Sequence, residues 1–186
     1  MAQLAVLASG NGSNFEAIAE RLASGSHRIS CLICDRKDAF AFKRAERYGI
    51  PSYYVSYKGR ERAEAEREIC SILDASGTDL IALAGFMRLL SPGLIDRYEG
   101  RIINIHPSLL PKYPGTHGIR DSYESGDTEL GITIHRVDYG LDTGPVIVQK
   151  SFSRSGDESL EEIESRIHEL EHQSYPAVLL EILDTV

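Results

Sequence analysis

The feature that most constrains the fold is a series of short segments that are apolar at every position. LAVLA, within residues 2–8, and LIALA, within residues 79–85, show no alternation of apolar and polar residues. Such continuous runs are typical of strands in a parallel sheet that is covered on both faces. Amphipathic helical segments separate them, and this alternation predicts an α/β fold. We expect a doubly wound, mostly parallel seven-stranded sheet with helices on both faces.

The predicted elements cover most of the chain. The expected strands are residues 2–8, 28–34, 52–56, 79–85, 101–105, 131–137 and 145–152. The expected helices are residues 14–24, 38–48, 60–76, 91–98, 116–125 and 159–183. Ser159 and Glu162 have the S-x-x-E spacing of a capping box, which marks the start of the last helix. The 186 residues contain no repeat or linker, so we expect a single domain over residues 1–186.

Charge and hydropathy argue against several kinds of partner. The chain has 28 acidic and 20 basic residues and a formal net charge of -8, whereas a nucleic-acid surface usually needs a basic patch. No apolar run approaches the roughly 20 residues that span a bilayer. The N-terminal MAQLAVLASG lacks the basic start and the cleavage site of a signal peptide. We expect a cytoplasmic protein with no nucleic-acid or membrane partner.

The three cysteines indicate neither a disulfide framework nor a metal site. Their number is odd, which is unusual for a framework of paired cysteines. Cys31 and Cys34 are spaced as C-x-x-C, but both lie in a predicted strand, where residues three apart point to opposite faces. We therefore expect ordinary core or surface cysteines.

The loop SGNGSN, residues 9–14, lies where the first strand ends and the first helix begins. In doubly wound folds, ligands bind at the carboxyl ends of the strands, where the strand order reverses. Gly10 and Gly12 leave backbone N–H groups exposed, and Ser13 and Asn14 are good N-cap residues. We therefore expect a cradle for a phosphate or a carboxylate. No G-K-[ST] follows, so the loop is not a P-loop.

A dinucleotide site is a weaker alternative for this loop. Asp35, at the end of the second predicted strand, has the position of a ribose-binding acid, but Phe15 replaces the third glycine of the fingerprint. A monophosphate is therefore favoured over a dinucleotide. A tight turn that binds no ligand is the other alternative.

The segment INIHPSLLPKYPG, residues 103–115, combines two polar side chains at the end of the fifth strand with three prolines that restrict the loop behind them. Asn104 and His106 are two residues apart on an extended chain, so their side chains lean the same way. An amide donates hydrogen bonds without titrating, and an imidazole donates as a cation or moves a proton near neutral pH. The pair suits stabilisation of a tetrahedral oxyanion.

Asp138 and Asp142 are both candidates for a carboxylate beside His106, which would favour its imidazolium form. The alternative is that Asn104 caps a turn and His106 is an ordinary polar loop residue. No serine lies in a G-x-S-x-G elbow, so direct transfer between two bound substrates is favoured over an acyl-enzyme. A non-catalytic nucleotide-binding module would leave these side chains without a role.

Residues 168–172, HELEH, match the H-E-x-x-H motif of metalloproteases. The apolar stripe of this predicted helix consists of Ile163, Ile167 and Leu170. His168 and His172 lie more than about 100° from the centre of that stripe and should face solvent. Glu171 lies nearer its boundary, where it could reach a cleft. We expect no metal site here.

The remaining histidines are expected to have ordinary roles. His27 is predicted in a solvated loop and His135 as a satisfied core or edge residue of a strand. His117 follows Pro114 and Gly115, and it either contributes to the site or caps the next helix.

Four motifs, taken in order, resemble those of the folate-dependent formyltransferases. They are SGNGSN after strand one, AGFMRLLSP after strand four, NIHPSLLPKYPG after strand five and GLDTGPVI near residue 142. The likeness extends over nearly the whole chain and is greatest to the branch that formylates glycinamide ribonucleotide in purine synthesis. It implies formyl transfer from 10-formyltetrahydrofolate, a co-substrate, to the amine of that ribonucleotide, by direct attack through a tetrahedral intermediate. It also implies small-molecule substrates, no metal, and a monomer or homodimer.

The same resemblance implies a set of site residues. The implied catalytic residues are Asn104, His106 and Asp142. The residues implied for the phosphate and ribose are Asn11, Gly12, Ser13, Asn14 and Glu171. Those implied for the folate, largely through backbone groups, are Met87, Arg88, Leu89, Leu90, Asn104, Asp138, Tyr139, Gly140 and Leu141. Arg62 is the implied arginine on the folate side, with Arg60 as its rival.

The resemblance further implies a single formyltransferase domain with two sides. Residues 1–100 are expected on the phosphate side, and residues 101–186 on the catalytic and folate side. Two departures from the family pattern stand out. The chain ends at Val186, sooner than in many relatives, and Tyr139-Gly140 stands where relatives often carry an acid.

Two other branches of the family are alternatives. Methionyl-tRNA formyltransferases share GLDTG but normally carry an appended tRNA-binding domain and a basic surface, which we do not expect in this acidic chain. Formyltetrahydrofolate hydrolases typically carry an extra N-terminal domain, for which a first strand at residue 2 leaves no room. The ribonucleotide-formylating branch is therefore favoured.

Overall fold

The computed structural model describes residues 1–186 and contains seven strands and six helices. The strands are β1 (Gln3–Ala8), β2 (Arg28–Cys34), β3 (Ser52–Tyr54), β4 (Leu80–Leu83), β5 (Ile102–His106), β6 (Glu129–Arg136) and β7 (Val146–Ser153). The helices are α1 (Ser13–Leu22), α2 (Ala41–Arg47), α3 (Arg62–Ala75), α4 (Pro92–Arg97), α5 (Gly118–Glu124) and α6 (Leu160–Leu183). Every predicted element is present, and no boundary differs by more than three residues.

All seven strands form one sheet in the order β3-β2-β1-β4-β5-β6-β7. The pairs from β3 to β5 are parallel, and β6 pairs antiparallel with both β5 and β7. After β1 the chain moves outward through β2 and β3, then returns to the other side of β1 as β4. The strand order therefore reverses between β1 and β4, and this is where the two neighbouring loops leave a crevice for a ligand.

The two faces of the sheet are covered by different helices. On one face α1, α2 and α6 pack against the sheet around a core that includes Phe15 and Ile167. On the other face α3 and α4 pack around Ile69 and Leu94. Burial on both faces explains why residues 4–8 of β1 and all of β4 have no polar positions, and it confirms the doubly wound fold predicted from those runs.

Helix α6 connects the sheet to the crevice. Its first turn has the predicted capping box: the Ser159 hydroxyl accepts from the Glu162 N–H, and the Glu162 carboxylate accepts from the Ser159 N–H. Tyr175 is fully buried, and its hydroxyl lies 3.0 Å from the carbonyl of Leu83 and 2.9 Å from that of Ile103. The helix is thereby anchored beneath the ends of β4 and β5.

Two local predictions are wrong. Helix α1 is capped by Gly12, not by Ser13 or Asn14, because the chain turns through a left-handed conformation at the glycine and Ser13 is already helical. His27 is buried, since its Nδ1 accepts from the Ala2 N–H at 3.1 Å and its Nε2 lies 2.9 Å from Asp184. These partners come from the two ends of the chain, so local sequence gives no sign of them.

Cys31 and Cys34 lie in β2 with their side chains buried, and no cysteine is in a disulfide. Burial raises the pKa of the Cys34 thiol to about 12, with the neighbouring Asp35 adding to the shift. None of the six helices is long and apolar enough to span a membrane.

Candidate active site

A cavity of about 470 Å³ lies at the point where the strand order reverses. Its lining comes from the ends of β5 and β6, from the loops after β1, β2, β4 and β5, from the loop between β6 and β7, and from one side of α6. Nearly every predicted site residue lines it, although these residues lie far apart in the chain. We describe three walls: a helix wall (residues 10–14 and Glu171), a strand wall (Asn104, His106, His135 and Asp142) and a loop wall (residues 87–90 and 138–141).

The helix wall is built around the left-handed turn at Gly12, whose φ is 76°. A Cβ at this position would lie 2.6 Å from the Cβ of Ala41 and 2.9 Å from its Cα, so only glycine fits. The Ala41 N–H also donates to the Gly10 carbonyl at 3.2 Å, which joins the loop to the start of α2. The first N–H groups of α1 are left without side-chain caps at the cavity, and such a helix start attracts anions.

Glu171 reaches this wall from α6, as predicted for a residue near the boundary of the apolar stripe. It is buried, and its Oε2 accepts from Asn14 Nδ2 and from His168 Nδ1, each at 3.0 Å. Both donors bind the same oxygen, so Oε1 has no hydrogen-bond partner within the protein. The hydrogen bond to Glu171 raises the pKa of His168, and partial burial opposes the shift.

Asn104 and His106 both lie within β5, which extends one residue beyond the predicted end of the strand at residue 105. They are the third and fifth residues of the strand, and both line the cavity. His106 is buried, and its Nε2 donates to the Tyr113 carbonyl at 2.7 Å, because a carbonyl oxygen can only accept. Its Nδ1 lies 3.4 Å from Asp142 Oδ2. The loop of prolines thus supplies a fixed partner for the imidazole.

Asp142, and not Asp138, is the carboxylate beside His106. Its Oδ2 accepts from the Gly115 N–H at 2.8 Å, and its Oδ1 lies 3.5 Å from Asn104 Nδ2. Its backbone has a φ of 55°, a left-handed conformation that is uncommon for a residue other than glycine. Asp138 is used within its own loop, where Oδ1 accepts from the Gly140 N–H and the Thr143 hydroxyl.

His135 is the member of the strand wall that the sequence analysis missed. It is buried, as expected of a core histidine, but it also lines the cavity and lies opposite Asn104 in the β5–β6 pairing. Its Nδ1 donates to the Arg136 carbonyl at 2.9 Å, so Nε2 of the neutral ring accepts from Asn104 Nδ2 at 3.1 Å. Burial lowers the pKa of His135 and favours this neutral form. Only the register of an antiparallel pair could have indicated this contact.

The loop wall is more exposed and more apolar than the other two. Met87, Leu89, Tyr139 and Leu141 are each about half exposed or more, whereas Leu90 is buried. The Met87 N–H donates to the Ser9 hydroxyl at 2.8 Å, which connects this wall to the loop after β1. Tyr139 donates its hydroxyl to Asp96, so the loop after β6 is also connected to α4.

The arginine expected on the folate side does not line the cavity. Arg62 is exposed at the start of α3, outside the lining residues. Arg60 is paired with Glu64 and Glu68 at 3.2 and 2.6 Å and is also outside it. The arginines that do line the cavity are Arg36 and Arg88. Arg88 was implied for the folate by the motif after strand four, whereas nothing in the sequence pointed to Arg36.

The two histidines of the H-E-x-x-H segment differ in their surroundings on α6. His168 is exposed as predicted, but His172 is only half exposed, and its Nε2 is buried without a partner. Its ring lies 6.3 Å from that of His168, and burial lowers its pKa. No group of three or more His, Cys, Asp or Glu side chains has metal-binding geometry. His117 occupies the N-cap position of α5 and does not line the cavity.

Comparison with known proteins agrees with this arrangement of the fold and cavity. Residues 2–179 match the family model described as formyl transferase. The chain belongs to the formyl transferase family. The formyltransferase is similar to the phosphoribosylglycinamide formyltransferase of Bacillus subtilis (strain 168), at 46% identity over 186 residues, or 98% of this chain and 95% of that protein. The phosphoribosylglycinamide formyltransferase of Escherichia coli (strain K12) is 40% identical over 179 residues, or 95% and 84%.

A solved structure gives the same result for the fold of the formyltransferase. The crystal structure of glycinamide ribonucleotide transformylase 1 from Geobacillus kaustophilus superimposes with a TM-score of 0.93 at 45% identity, covering 98% of this chain and 99% of that chain. The fold class and the family predicted from the motifs are therefore confirmed, and the chain is an enzyme that transfers formyl groups.

Proposed function

We propose that this formyltransferase transfers the formyl group of 10-formyltetrahydrofolate to the amine of glycinamide ribonucleotide, a step of purine synthesis. The observation that carries the proposal is the strand wall, where Asp142 lies 3.4 Å from His106 and 3.5 Å from Asn104. The helix wall lines the same cavity. The relatives of the chain in Bacillus subtilis and Escherichia coli are phosphoribosylglycinamide formyltransferases.

In this proposal the helix wall binds the ribonucleotide. The N–H groups at the start of α1 hold the phosphate, with Asn11, Gly12, Ser13 and Asn14 forming the loop around it. Glu171 accepts from a ribose hydroxyl through Oε1, while Asn14 and His168 fix its other oxygen. The glycinamide amine then points toward the strand wall.

The donor lies along the loop wall, between Met87–Leu90 and Asp138–Leu141. Backbone groups of these two loops bind the pterin, and the apolar side chains of Met87, Leu89 and Leu141 cover the rings. Arg62 has no part in this arrangement, because it lies outside the cavity. The division of the chain into a phosphate half and a folate half is therefore only approximate, since Glu171 and Met87 each lie in the opposite half.

The reaction proceeds by direct attack. The amine nitrogen bonds to the formyl carbon, and the formyl oxygen becomes an oxyanion that Asn104 Nδ2 and the Nδ1–H of the His106 imidazolium stabilise by hydrogen bonds. The bond from that carbon to N10 of the folate then breaks, and the proton lost by the amine goes to N10, directly or through a water that Asp142 positions. Asp142 orients His106 throughout, and no covalent enzyme intermediate forms.

The test is release of tetrahydrofolate from 10-formyltetrahydrofolate, followed by absorbance with and without glycinamide ribonucleotide. We expect release only with the ribonucleotide, and we expect His106→Ala to abolish it. His117→Ala is the matched control, because His117 lies outside the cavity, and it should retain full turnover. Release without the ribonucleotide would identify a hydrolase instead, and no release from folded protein would refute the proposal. The cytoplasmic location, the absence of nucleic-acid and membrane partners, and the monomeric or homodimeric state stay predictions.

A further inference from the structure

Asp35 is a buried carboxylate that the proposed reaction does not use. It follows β2 directly, and its side chain is only 3% exposed. Oδ2 accepts from Arg88 Nε at 2.6 Å, but Oδ1 is buried and has no hydrogen-bond partner. Buried carboxylates with a single protein partner are uncommon and call for an explanation.

The position of Arg88 argues against the dinucleotide role that the sequence left open for Asp35. The carboxylate that would bind a ribose is already covered by the guanidinium, and Phe15 fills the space where the dinucleotide fingerprint needs a glycine. The hydrogen-bond partner of Asp35 is thus Arg88, which lines the cavity.

The Arg88 side chain is held by a hydrogen bond and by an aromatic ring, while its terminal nitrogens have no protein partner. Its Nε is bound by Asp35, and its guanidinium carbon lies 4.9 Å from the centre of the Tyr57 ring. Tyr57 itself packs edge-on against Phe86, with ring centres 6.5 Å apart. The two terminal nitrogens, Nη1 and Nη2, have no protein partner, and 45% of the side chain is exposed. A guanidinium in this state presents a fork that matches a planar carboxylate.

Arg36, the other arginine of the cavity, lacks this support. Its side chain is 62% exposed and lies 3.7 Å from Asp38, which is exposed as well. Long exposed side chains of this kind keep their rotamer freedom and gain little from such pairs. Of the two arginines in the cavity, only Arg88 is held in place by a buried carboxylate.

We propose that Asp35 is a positioning residue, whose buried carboxylate holds the Arg88 guanidinium against Tyr57 with its terminal nitrogens ready to bind a carboxylate of the folate donor. This inference rests on the proposed function, in which Arg88 is one of the residues that bind the folate donor. What it adds is that Asp35 fixes the guanidinium toward a carboxylate of the donor's glutamyl tail. The apolar side chains of Met87 and Leu89 beside Arg88 suit the donor's rings, whereas the phosphate of the other substrate has its own cradle at the helix wall.

The test compares two donors: 10-formyltetrahydrofolate, which has one glutamate, and 10-formyltetrahydropteroate, which has none. For the glutamylated donor we expect Asp35→Ala to raise KM about tenfold while kcat stays within about twofold, as for loss of one charge-assisted contact. KM for the pteroate donor and for glycinamide ribonucleotide should not change. Asp35→Asn keeps an acceptor for Arg88 Nε, so its KM for the glutamylated donor should lie close to that of the wild type. Asp38→Asn, in the exposed pair, is the control.

A double-mutant cycle separates positioning from a general structural effect. Arg88→Ala should raise KM for the glutamylated donor as much as Asp35→Ala does, and the double variant should be no worse than Arg88→Ala alone. If Asp35→Ala does not fold, Asp35→Ser, whose side chain is too short to reach Nε, takes its place.

Three results would overturn the proposal: equal effects on both donors, a double variant worse than Arg88→Ala, or a raised KM for the ribonucleotide instead of the donor. If the wild type transfers no formyl group, the proposed function fails separately. Calorimetric titration with tetrahydrofolate and tetrahydropteroate then decides the role of Asp35. If Asp35 positions Arg88, Asp35→Ala must lose the preference of the wild type for binding tetrahydrofolate over tetrahydropteroate.

Discussion

The helix wall and the strand wall face one cavity but are built in different ways. In the helix wall, five consecutive residues line the cavity at the uncapped start of α1, and the shape of this loop depends on one glycine and its contact with Ala41. In the strand wall, four side chains from β5, β6 and a later loop depend on one another through hydrogen bonds and short contacts. Backbone N–H groups do not titrate, whereas three of the four side chains in the strand wall can.

This difference indicates a division of tasks. An anion that stays bound through a reaction is served well by uncharged donors of fixed geometry. A group that gains and loses charge needs side chains whose hydrogen bonds and protons can change with it. We therefore expect changes in the helix wall to act mainly on KM and changes in the strand wall to act mainly on kcat.

The largest expected effect is in the strand wall. Asn104→Ala should lower kcat about 10²–10³-fold, or about 2.7–4 kcal/mol, because it removes an oxyanion donor. KM for the ribonucleotide should change little. Steady-state kinetics measure both constants, and Gln173→Ala, which removes an exposed amide bonded to Glu169, is the control. A kcat within threefold of the wild type would contradict the role of Asn104.

The next effect is in the helix wall. Gly12→Ala should raise KM for the ribonucleotide about 10- to 100-fold, because the new Cβ would displace the loop from Ala41. Gly49→Ala is the matched control: its φ is also positive, at 63°, but a Cβ there meets no atom within 4 Å. That variant should lose about 1–2 kcal/mol of stability and leave KM unchanged. Equal kinetic effects of the two substitutions would show that strain alone, and not loop position, matters.

A smaller effect in the strand wall tests the contact that the sequence did not reveal. His135→Ala should lower kcat about tenfold, because Asn104 loses the acceptor that orients its amide. His135→Gln, whose side-chain oxygen can accept in place of Nε2, should recover most of the rate. If the glutamine variant is as slow as the alanine variant, His135 does more than orient Asn104.

The smallest expected effect is a pH dependence of stability at His168, the hydrogen-bond partner of Glu171 in the helix wall. The pKa of His168 is raised in the folded protein, chiefly by its hydrogen bond to Glu171. Its contribution to stability is therefore present below the unfolded value of 6.5 and is lost as pH rises through the folded value. The free energy of unfolding of the wild type minus that of His168→Gln should be larger at about pH 5.5 than at about pH 9.

His172 is the control for that measurement, because burial lowers its pKa instead. Its neutral form is the one that suits the folded state, so its contribution should be present above 6.5 and lost as pH falls. Denaturant unfolding of His168→Gln and His172→Gln across the pH range checks the two opposite trends. Parallel trends would mean that the partner of His168 is not Glu171.

By itself the sequence determined the class of fold, the order of the elements and the position of the loops at the site. Continuous apolar runs such as LAVLA require a sheet covered on both faces, and a parallel sheet places the ends of its strands at one edge. The capping box at Ser159 was equally readable, because all its partners lie within four residues. The motifs around Asn104 and Asp142 identified the family, which the comparisons confirmed.

What the sequence left open or missed concerns groups that are distant along the chain. Residue patterns alone left Asp138 and Asp142 both open beside His106, and only the resemblance favoured Asp142, whose position depends on a left-handed conformation in its loop. The contact of His135 with Asn104 depends on strand register. The burial of His27 and the pairing of Asp35 with Arg88 likewise join separate elements. Only the tertiary structure decides such contacts, because local patterns fix the direction of a side chain within its own element but not the neighbour it meets.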